Sequence, residues 1–533
     1  MSRAGPEGTV DFEALKAALS DPSAYPGQPD RVEVRETHAS CAFLVGDEVY
    51  KLKKPVNFGF LDYSTLARRR LMCRREIELN RRLAPGVYLG VVPVTRSTDG
   101  RLLPGGRGPA VDYLVWMRRL DDARMLSSLV RSDEATMDAV IAIGRHLAAF
   151  HAKAGRSARI DSFGSAAAIL RNQEENCSQV GPFAGIALSQ GLYHEVCAFT
   201  GEFVRANRRL LRARVEGGWI RDGHGDLRCD HVYLQDGIQV IDCIEFNQRF
   251  RYADTASDIA FLAMDLEAHG APDLARGLTT EYARASGGDL EPVLRFYLCY
   301  RAFTRGKVAC LRAIQRGQAP AQTEAELDEA RRFFHLALRY ARDETRPVLV
   351  ITSGVTGTGK STLAEAIGGI LAATVVSADP TRKRIADLAP GVHRDEAVDT
   401  GIYSPEMNLR TYGEMLARAE RELARGRSVV LDATYRRRLD RDAVRFLARR
   451  AGARFLAVEC VAPEAVVRER IERRRAEGSS WSDGRWELYL DQVATFEPLL
   501  ELAPGEGVRI DTSAPRSRQL DAFLSVLEGG CAG

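Results

Sequence analysis

One octapeptide restricts this chain more than any other feature: Gly354-Val355-Thr356-Gly357-Thr358-Gly359-Lys360-Ser361. It lies between the apolar run Val348-Leu349-Val350-Ile351 and a segment with apolar Leu363, Ala366, Ile367 and Ile370. The pattern G-x-x-x-x-G-K-[ST] between a strand and a helix turns backbone N–H groups inward, and glycine permits the turn. Such a loop cradles phosphate oxygens. Lys360 adds a compact positive charge, Ser361 offers a hydroxyl to Mg²⁺, and Thr362 follows on the same helical turn. Downstream, strands alternate with helices, which predicts a parallel α/β sheet over 346–533. The charged stretch Ala341-Arg342-Asp343-Glu344-Thr345-Arg346-Pro347 marks the boundary before it.

Three further features of this half bear on chemistry. The strand Thr374-Val375-Val376-Ser377 leads to Asp379, with Arg382 three residues on. A carboxylate at the sheet's C-terminal edge can take a proton from a hydroxyl, and the arginine can hold a phosphoryl group. Asp379 before Pro380 also reads as a helix N-cap, and the two roles are compatible. The strand Ser428-Val429-Val430-Leu431 ends in Asp432, a second metal-organising carboxylate. Arg468, Arg470, Arg473, Arg474 and Arg475 crowd one helix before a Gly-Ser loop; Arg470 and Arg474, one turn apart, are the candidates for a lid over phosphates. On these motifs residues 346–533 resemble the P-loop kinases typified by polynucleotide kinase, gluconate kinase and zeta-toxin-like enzymes. The resemblance implies transfer of the ATP γ-phosphoryl group to a hydroxyl, with Asp379 as base.

The second chemical signal is His224-Gly225-Asp226-Leu227, followed by Val232-Tyr233-Leu234, Gln235-Asp236-Gly237-Ile238 and Val240-Ile241-Asp242. A two-residue turn at Asp236-Gly237 would place His231 opposite Asp242, so that Asp226, His231 and Asp242 converge at one hairpin mouth. Upstream, Phe43–Val45 and Val49–Lys53 read as a hairpin closed by Pro55, with Lys51 and Lys53 on one face and Lys54 on the solvated one. In the following helix Met72, Glu76, Leu79 and Leu83 form a stripe. Glu76 therefore points inward, Glu78 outward, and a buried Glu76 needs Lys51 or Lys53 as its cation.

These residues resemble the aminoglycoside phosphotransferase-like branch of the protein-kinase-like fold over 31–345, with an N-lobe at 31–118, a hinge near Met117 and a C-lobe at 119–345. The resemblance implies Asp226 as general base, Asp242 as Mg²⁺ ligand, and Lys51 on the nucleotide phosphates with Lys53 as the fallback. Two positions depart from that pattern. His231 stands where the family has Asn, so it either bonds Asp242 or joins a site that favours Mn²⁺. Thr37-His38-Ala39-Ser40 replaces the usual glycine-rich loop. His151 reads as a buried structural histidine and Asp254 and Asp258 as braces. Tyr403 and Tyr412 read equally as pocket or core.

Composition narrows the function classes. Across 533 residues, 75 basic and 72 acidic side chains nearly cancel, which argues against a dedicated nucleic-acid or membrane-surface protein. The ten cysteines show no C-x-x-C pair, and the opening residues lead into a charged segment. A reduced, cytoplasmic protein is expected. Residues 1–30 read as a loose lead-in. Lysine is scarce, at positions 16, 51, 53, 54, 153, 307, 360 and 383 only. The combination resembles a bacterial family of bifunctional aminoglycoside phosphotransferase-like/ATP-binding proteins. It implies two ATP and Mg²⁺ sites that phosphorylate small-molecule hydroxyl acceptors. The alternatives are a P-loop half acting on polynucleotide ends, and a kinase-like half that binds nucleotide only to regulate the other. The acceptors and the oligomeric state are left open.

Overall fold

A computed structural model describes residues 11–314, 319–388, 400–477 and 486–529, the side chains of 474–477 excepted. The chain forms two compact units, each discontinuous in sequence. One comprises Met1–Arg171, Val204–Leu266 and Leu274–Tyr297; the other comprises Asn172–Phe203, Glu267–Asp273 and Leu298–Gly533.

The first unit is built on six antiparallel strands: β1 (Glu33–Glu36), β2 (Ser40–Val45), β3 (Glu48–Lys53), β4 (Tyr88–Arg96), β5 (Leu102–Pro104) and β6 (Ala110–Arg118), in the order β1-β2-β3-β6-β4-β5. Val45 pairs with Glu48, so the expected hairpin forms, but its connection is the two-residue turn Gly46-Asp47, one residue shorter than the gap between the expected strands. Alternation buries Phe43, Val45, Tyr50 and Leu52 on one face, where Leu15, Leu19 and Tyr25 complete the core. The segment expected as a loose lead-in thus contributes core residues from the helix Phe12–Ser20 onward. Lys54, expected in solvent, is ion-paired to Glu36 at 2.5 Å.

The opposite face of the sheet receives the helix Leu66–Asn80, capped by the Thr65 hydroxyl on the Arg68 N–H. Its buried residues are Arg69, Cys73, Glu76, Ile77 and Asn80. The stripe is rotated from the expected one because Arg69 is drawn inward by buried Asp112, at 3.0 Å to each carboxylate oxygen. Glu76 nevertheless lies inside and Glu78 outside, as expected.

Further along, β7 (Ile220–Asp222) pairs with β10 (Tyr252–Asp254), and β8 (Val232–Leu234) pairs with β9 (Ile238–Val240). Val232 faces Val240 and Leu234 faces Ile238, so the connection holds three residues, Gln235-Asp236-Gly237, rather than two. Asp236 and Gly237 both take positive φ, at 52° and 95°. The register is therefore one residue off the expected one. The Ile241 N–H bonds the His231 carbonyl, and Asp242 is displaced from direct opposition to His231.

The second unit carries a five-stranded, all-parallel sheet, as the alternation of strands and helices predicted: β11 (Val348–Ser353), β12 (Thr374–Ser377), β13 (Val429–Asp432), β14 (Arg454–Val461) and β15 (Gly507–Asp511), in the order β12-β13-β11-β14-β15. Both faces are covered, one by the helices Lys360–Leu371 and Arg516–Leu527, the other by Pro405–Ala424 and Arg438–Arg450. Burial on both faces explains why β11 is an unbroken apolar run rather than an alternating one. In the same unit Cys177 and Cys197 form a disulfide, which corrects the expectation of an all-thiol chain.

Candidate functional site

Each unit holds one constellation of charged residues. In the first, β3 delivers Lys51 and Lys53 to the same side of the sheet, and the helix Leu66–Asn80 brings Glu76 beneath them. Lys51 Nζ donates to Glu76 Oε1 at 2.9 Å and to Asp242 Oδ1 at 2.7 Å. Lys53 Nζ donates to Glu76 Oε2 and Glu245 Oε1, both at 2.5 Å, and lies 4.7 Å above the Tyr63 ring. Burial would push the Asp242 and Glu76 carboxyls up, but the lysine ammonium groups outweigh it and hold both below the usual carboxylate range. Asp242 takes φ 60°, a conformation uncommon for aspartate and concentrated at functional sites.

The His224-Gly225-Asp226 loop is held from below. Asp258 accepts the His224 N–H at 2.7 Å through Oδ2 and the Gly225 N–H at 2.9 Å through Oδ1. His151 bonds the Tyr282 hydroxyl at 2.9 Å and lies 3.3 Å from Asp258. Asp258 thus braces the loop as expected, His151 is a buried structural histidine, and Asp254 receives Arg214 at 2.6 Å. Gly225 has φ 87°, and a Cβ there would meet the Phe250 carbonyl at 2.8 Å, so no other residue fits. His224 Nε2 bonds the Ile241 carbonyl, and burial lowers its pKa to about 4, leaving the ring neutral.

Asp226 itself receives Arg228 Nε at 3.2 Å on both oxygens. His231 Nδ1 donates to the Asp226 carbonyl at 2.8 Å, so its Nε2 is the acceptor for Arg228 Nη2 at 2.9 Å. That nitrogen lies 3.9 Å from Asp242 Oδ2. Burial, then the Arg228 charge, lower the His231 pKa and keep the ring neutral. Its lone pair can reach a cation on Asp242 only if Arg228 moves aside.

The second constellation lies at the C-terminal edge of the parallel sheet. Three glycines with positive φ, 354, 357 and 359, shape the loop after β11, and a Cβ on Gly354 would strike the Cys460 carbonyl at 2.5 Å. Lys360 Nζ donates to the Val355 carbonyl at 2.7 Å, folded back across the loop that it serves. Ser361 is the second residue of the following helix, Lys360–Leu371, and is exposed, as is Thr362. Asp432 is buried beside Thr352, whose hydroxyl donates to it at 3.1 Å, and it pairs in register with Ser377. The helix beyond β12 runs Ala378–Ile385 with Ser377 at its N-cap position, so Asp379 lies inside the first turn and is not the cap. Arg382 bonds Asp379 at 2.7 Å and Asn408 at 2.9 Å, and stacks 4.8 Å over the Tyr403 ring. Tyr403 therefore lines this corner, while Tyr412 stacks on Tyr435.

Arg470 donates to the Thr512 hydroxyl at 2.9 Å and carbonyl at 2.7 Å, and the Thr512 hydroxyl donates to the Thr358 carbonyl. It stands beside the loop: a Cβ on Gly359 would lie 3.1 Å from its Nη1. The Arg474 side chain lies outside the described residues.

Sequence reasoning missed Glu245, Tyr63 and Arg228 at the first site and Gln492 at the second, where the Gln492 carbonyl accepts the Thr356 N–H at 2.7 Å. Glu245 had a signal: a carboxylate between Ile244 and Phe246 requires a cation, and Lys51 and Lys53 supplied one more than Glu76 alone needs. Gln492 had none, since a neutral amide on a distant helix leaves no charge pattern.

A lysine-glutamate-aspartate cluster under an antiparallel sheet and a glycine-rich P-loop on a parallel one define the class: a two-part chain with a candidate phosphate-handling site in each part. A family model described as an AAA domain matches residues 349–499. Over 494 residues the chain is 35% identical to the uncharacterized protein Rv2004c of Mycobacterium tuberculosis, covering 92% of this chain and 94% of that one, and equally so to the uncharacterized protein Mb2027c of Mycobacterium bovis. The chain belongs to the family of these mycobacterial proteins. Among solved structures, a gluconokinase from Sinorhizobium meliloti matches at 22% identity, covering 34% of this chain and 91% of that one, TM-score 0.25. A choline/ethanolamine kinase family protein from Mesorhizobium loti matches at 12%, covering 62% and 99%, TM-score 0.35.

Proposed function

We propose that the chain transfers the γ-phosphoryl group of ATP at two sites, one served by residues 31–345 and one by 346–533, each to a hydroxyl of a small molecule. The observation that carries this reading is Lys51 Nζ bonded at once to Glu76 and Asp242, a cation poised between a buried anchor and a metal-seeking carboxylate.

At the first site Asp226 accepts the proton of the acceptor hydroxyl as its oxygen bonds to the γ-phosphorus, and the bond to the β-bridging oxygen breaks to release ADP. Arg228 orients that carboxylate. Lys51 leaves Asp242 for the phosphate oxygens while Glu76 keeps it in place. The donor set suits Mg²⁺: Asp242, with His231 as the second group where Mn²⁺ is bound, and Ser361 with Asp432 at the other site. Such an ion supplies neutralisation of phosphate charge. At the second site Lys360 swings from Val355 to the phosphates with the 354–362 amides. Asp379 takes the acceptor proton, Arg382 steadies the transferring group, and Arg470, with Arg474, approaches from the Thr512 side.

The near-balance of charge favours metabolites over polynucleotide ends. The need for ATP favours the cytoplasm as the place of action. No described helix is long and apolar enough to cross a membrane.

The test is a metabolite library with γ-labelled ATP on the full chain, alongside Asp226→Ala and Lys360→Ala. Each variant should lose a different labelled product. Loss of neither product in Asp226→Ala would instead support a nucleotide-binding, regulatory first site.

A further inference from the structure

The first unit contains a cavity of about 570 Å³ that shares no lining residue with its lysine cluster, between the segment Asp161–Leu170 and the helices that meet near Asn207. Its floor is apolar, from Leu170, Val204 and Val215, and its rim carries Arg205, Arg208 and Arg212. At spacings of three and four residues the three guanidinium groups share one side of the chain. Among the described residues none of them has a carboxylate partner.

That arrangement is unfavourable by itself. Like charges one turn apart repel. Arg205 closes the helix Gln190–Ala206, where the dipole favours a cation, but Arg208 opens the helix Arg208–Glu216, where the dipole opposes one. No side chain caps that second helix. A second helix, Ala166–Val180, also begins at the cavity wall, after Ser165. The one acidic residue of the lining, Asp161, is engaged by Arg156 at 3.3 Å. Arg342 and Arg312, by contrast, each reach a carboxylate, Arg342 at Glu195 and Arg312 at Glu326 and Glu329.

We propose that this cavity is a binding site for an organic phosphate. Planar guanidinium groups suit the phosphate oxygens, and two helix beginnings add positive potential. The volume exceeds what a bare inorganic anion fills, and the apolar floor accommodates a carbon body beneath the charged head. The wall that carries Asp161 and Ser165 is fastened to the segment after Glu245: Arg159 donates to Gln248, and Phe163 packs edge-on against Tyr252 at 5.4 Å.

The experiment uses the full chain with AMP-PNP and Mg²⁺ in excess, so that other phosphate-binding loops are filled. Glycerol 3-phosphate is the probe and glycerol the control. Hydrogen exchange should slow in peptides covering 161–170 and 204–215 with the phosphate and not with glycerol. By calorimetry, Arg208→Ala with Arg212→Ala should weaken the probe at least tenfold, and Arg208→Lys with Arg212→Lys should restore part of the affinity. Protection confined to other segments, equal protection by glycerol, or unchanged affinity in the double alanine variant would overturn the proposal.

Discussion

Lys53 and Glu245 meet at 2.5 Å across 192 positions of chain, both almost wholly buried, and Glu76 completes the cluster on the other side of the ammonium. Two carboxylates and one lysine withdrawn from water are stable only as a set. Lys53→Met should destabilise the first unit by about 3–5 kcal/mol, the cost of leaving buried charge uncompensated. Adding Glu245→Met should recover part of that loss, because Glu76 still has Lys51. Calorimetric unfolding of the three proteins distinguishes this from a solvated pair, for which neither change would register.

Lys51 has a different task. Its ammonium must let go of Asp242 and reach phosphate while still bonded to Glu76, a task for a compact point charge that the bulkier, fixed fork of arginine does not reproduce. Lys51→Arg should therefore keep the melting temperature within a few degrees while lowering turnover of the first product by roughly a hundredfold or more. Equal turnover would show that Lys51 only holds the fold together.

Asp379 offers a clean separation of chemistry from stability, since Ser377 and not Asp379 occupies the helix N-cap position. Asp379→Asn should cut the rate of the second transfer by roughly two to four orders of magnitude with little effect on unfolding. A large fall in melting temperature with an intact rate would assign it to structure.

His335 is buried in the helix Pro320–Arg342, and neither ring nitrogen has a hydrogen-bond partner. Burial, reinforced by Arg339, Arg454 and Arg342, lowers its pKa to about 3 from 6.5. Between those values the unfolded chain binds a proton that the folded one refuses, so the stability is full above pH 6.5 and drains as pH falls toward 3. His224, at about 4, acts in the same direction. His335→Leu should flatten the decline in melting temperature between about pH 6.5 and 4.5, measured by scanning calorimetry.

The Cys177–Cys197 bond closes a loop with a sequence separation of 20. Cys177→Ser should lower stability by about 3 kcal/mol relative to the oxidised protein and bring it level with the reduced one. A non-reducing peptide map showing free thiols at both positions would contradict the pairing.

Much of this molecule could be read from residue order where chemistry is local. A glycine loop between strand and helix, the hairpin that carries Lys51 and Lys53, and a glutamate on an apolar stripe each specify their own surroundings. The misreadings arise where distant residues decide. Asp112 rotates the buried face of the helix that carries Glu76 by attracting Arg69, and no periodicity within that helix reveals it. The turn after Leu234 takes three residues instead of two, because Asp236 itself adopts positive φ and a one-residue change of register follows. The Cys177–Cys197 pair depends on two helices lying side by side, which spacing alone does not disclose.

The distribution of the eight lysines makes the protein its own reporter. Lys16 and Lys54 are tied to Glu36, and Lys53 and Lys383 are buried, whereas Lys153 lies open on the surface. Acylation by an amine-directed reagent, followed by mass spectrometry, would therefore yield few adducts. Shielding of Lys51 and Lys360 could be followed separately against Lys153 as the internal standard, so occupancy of either nucleotide site can be measured before any acceptor is known.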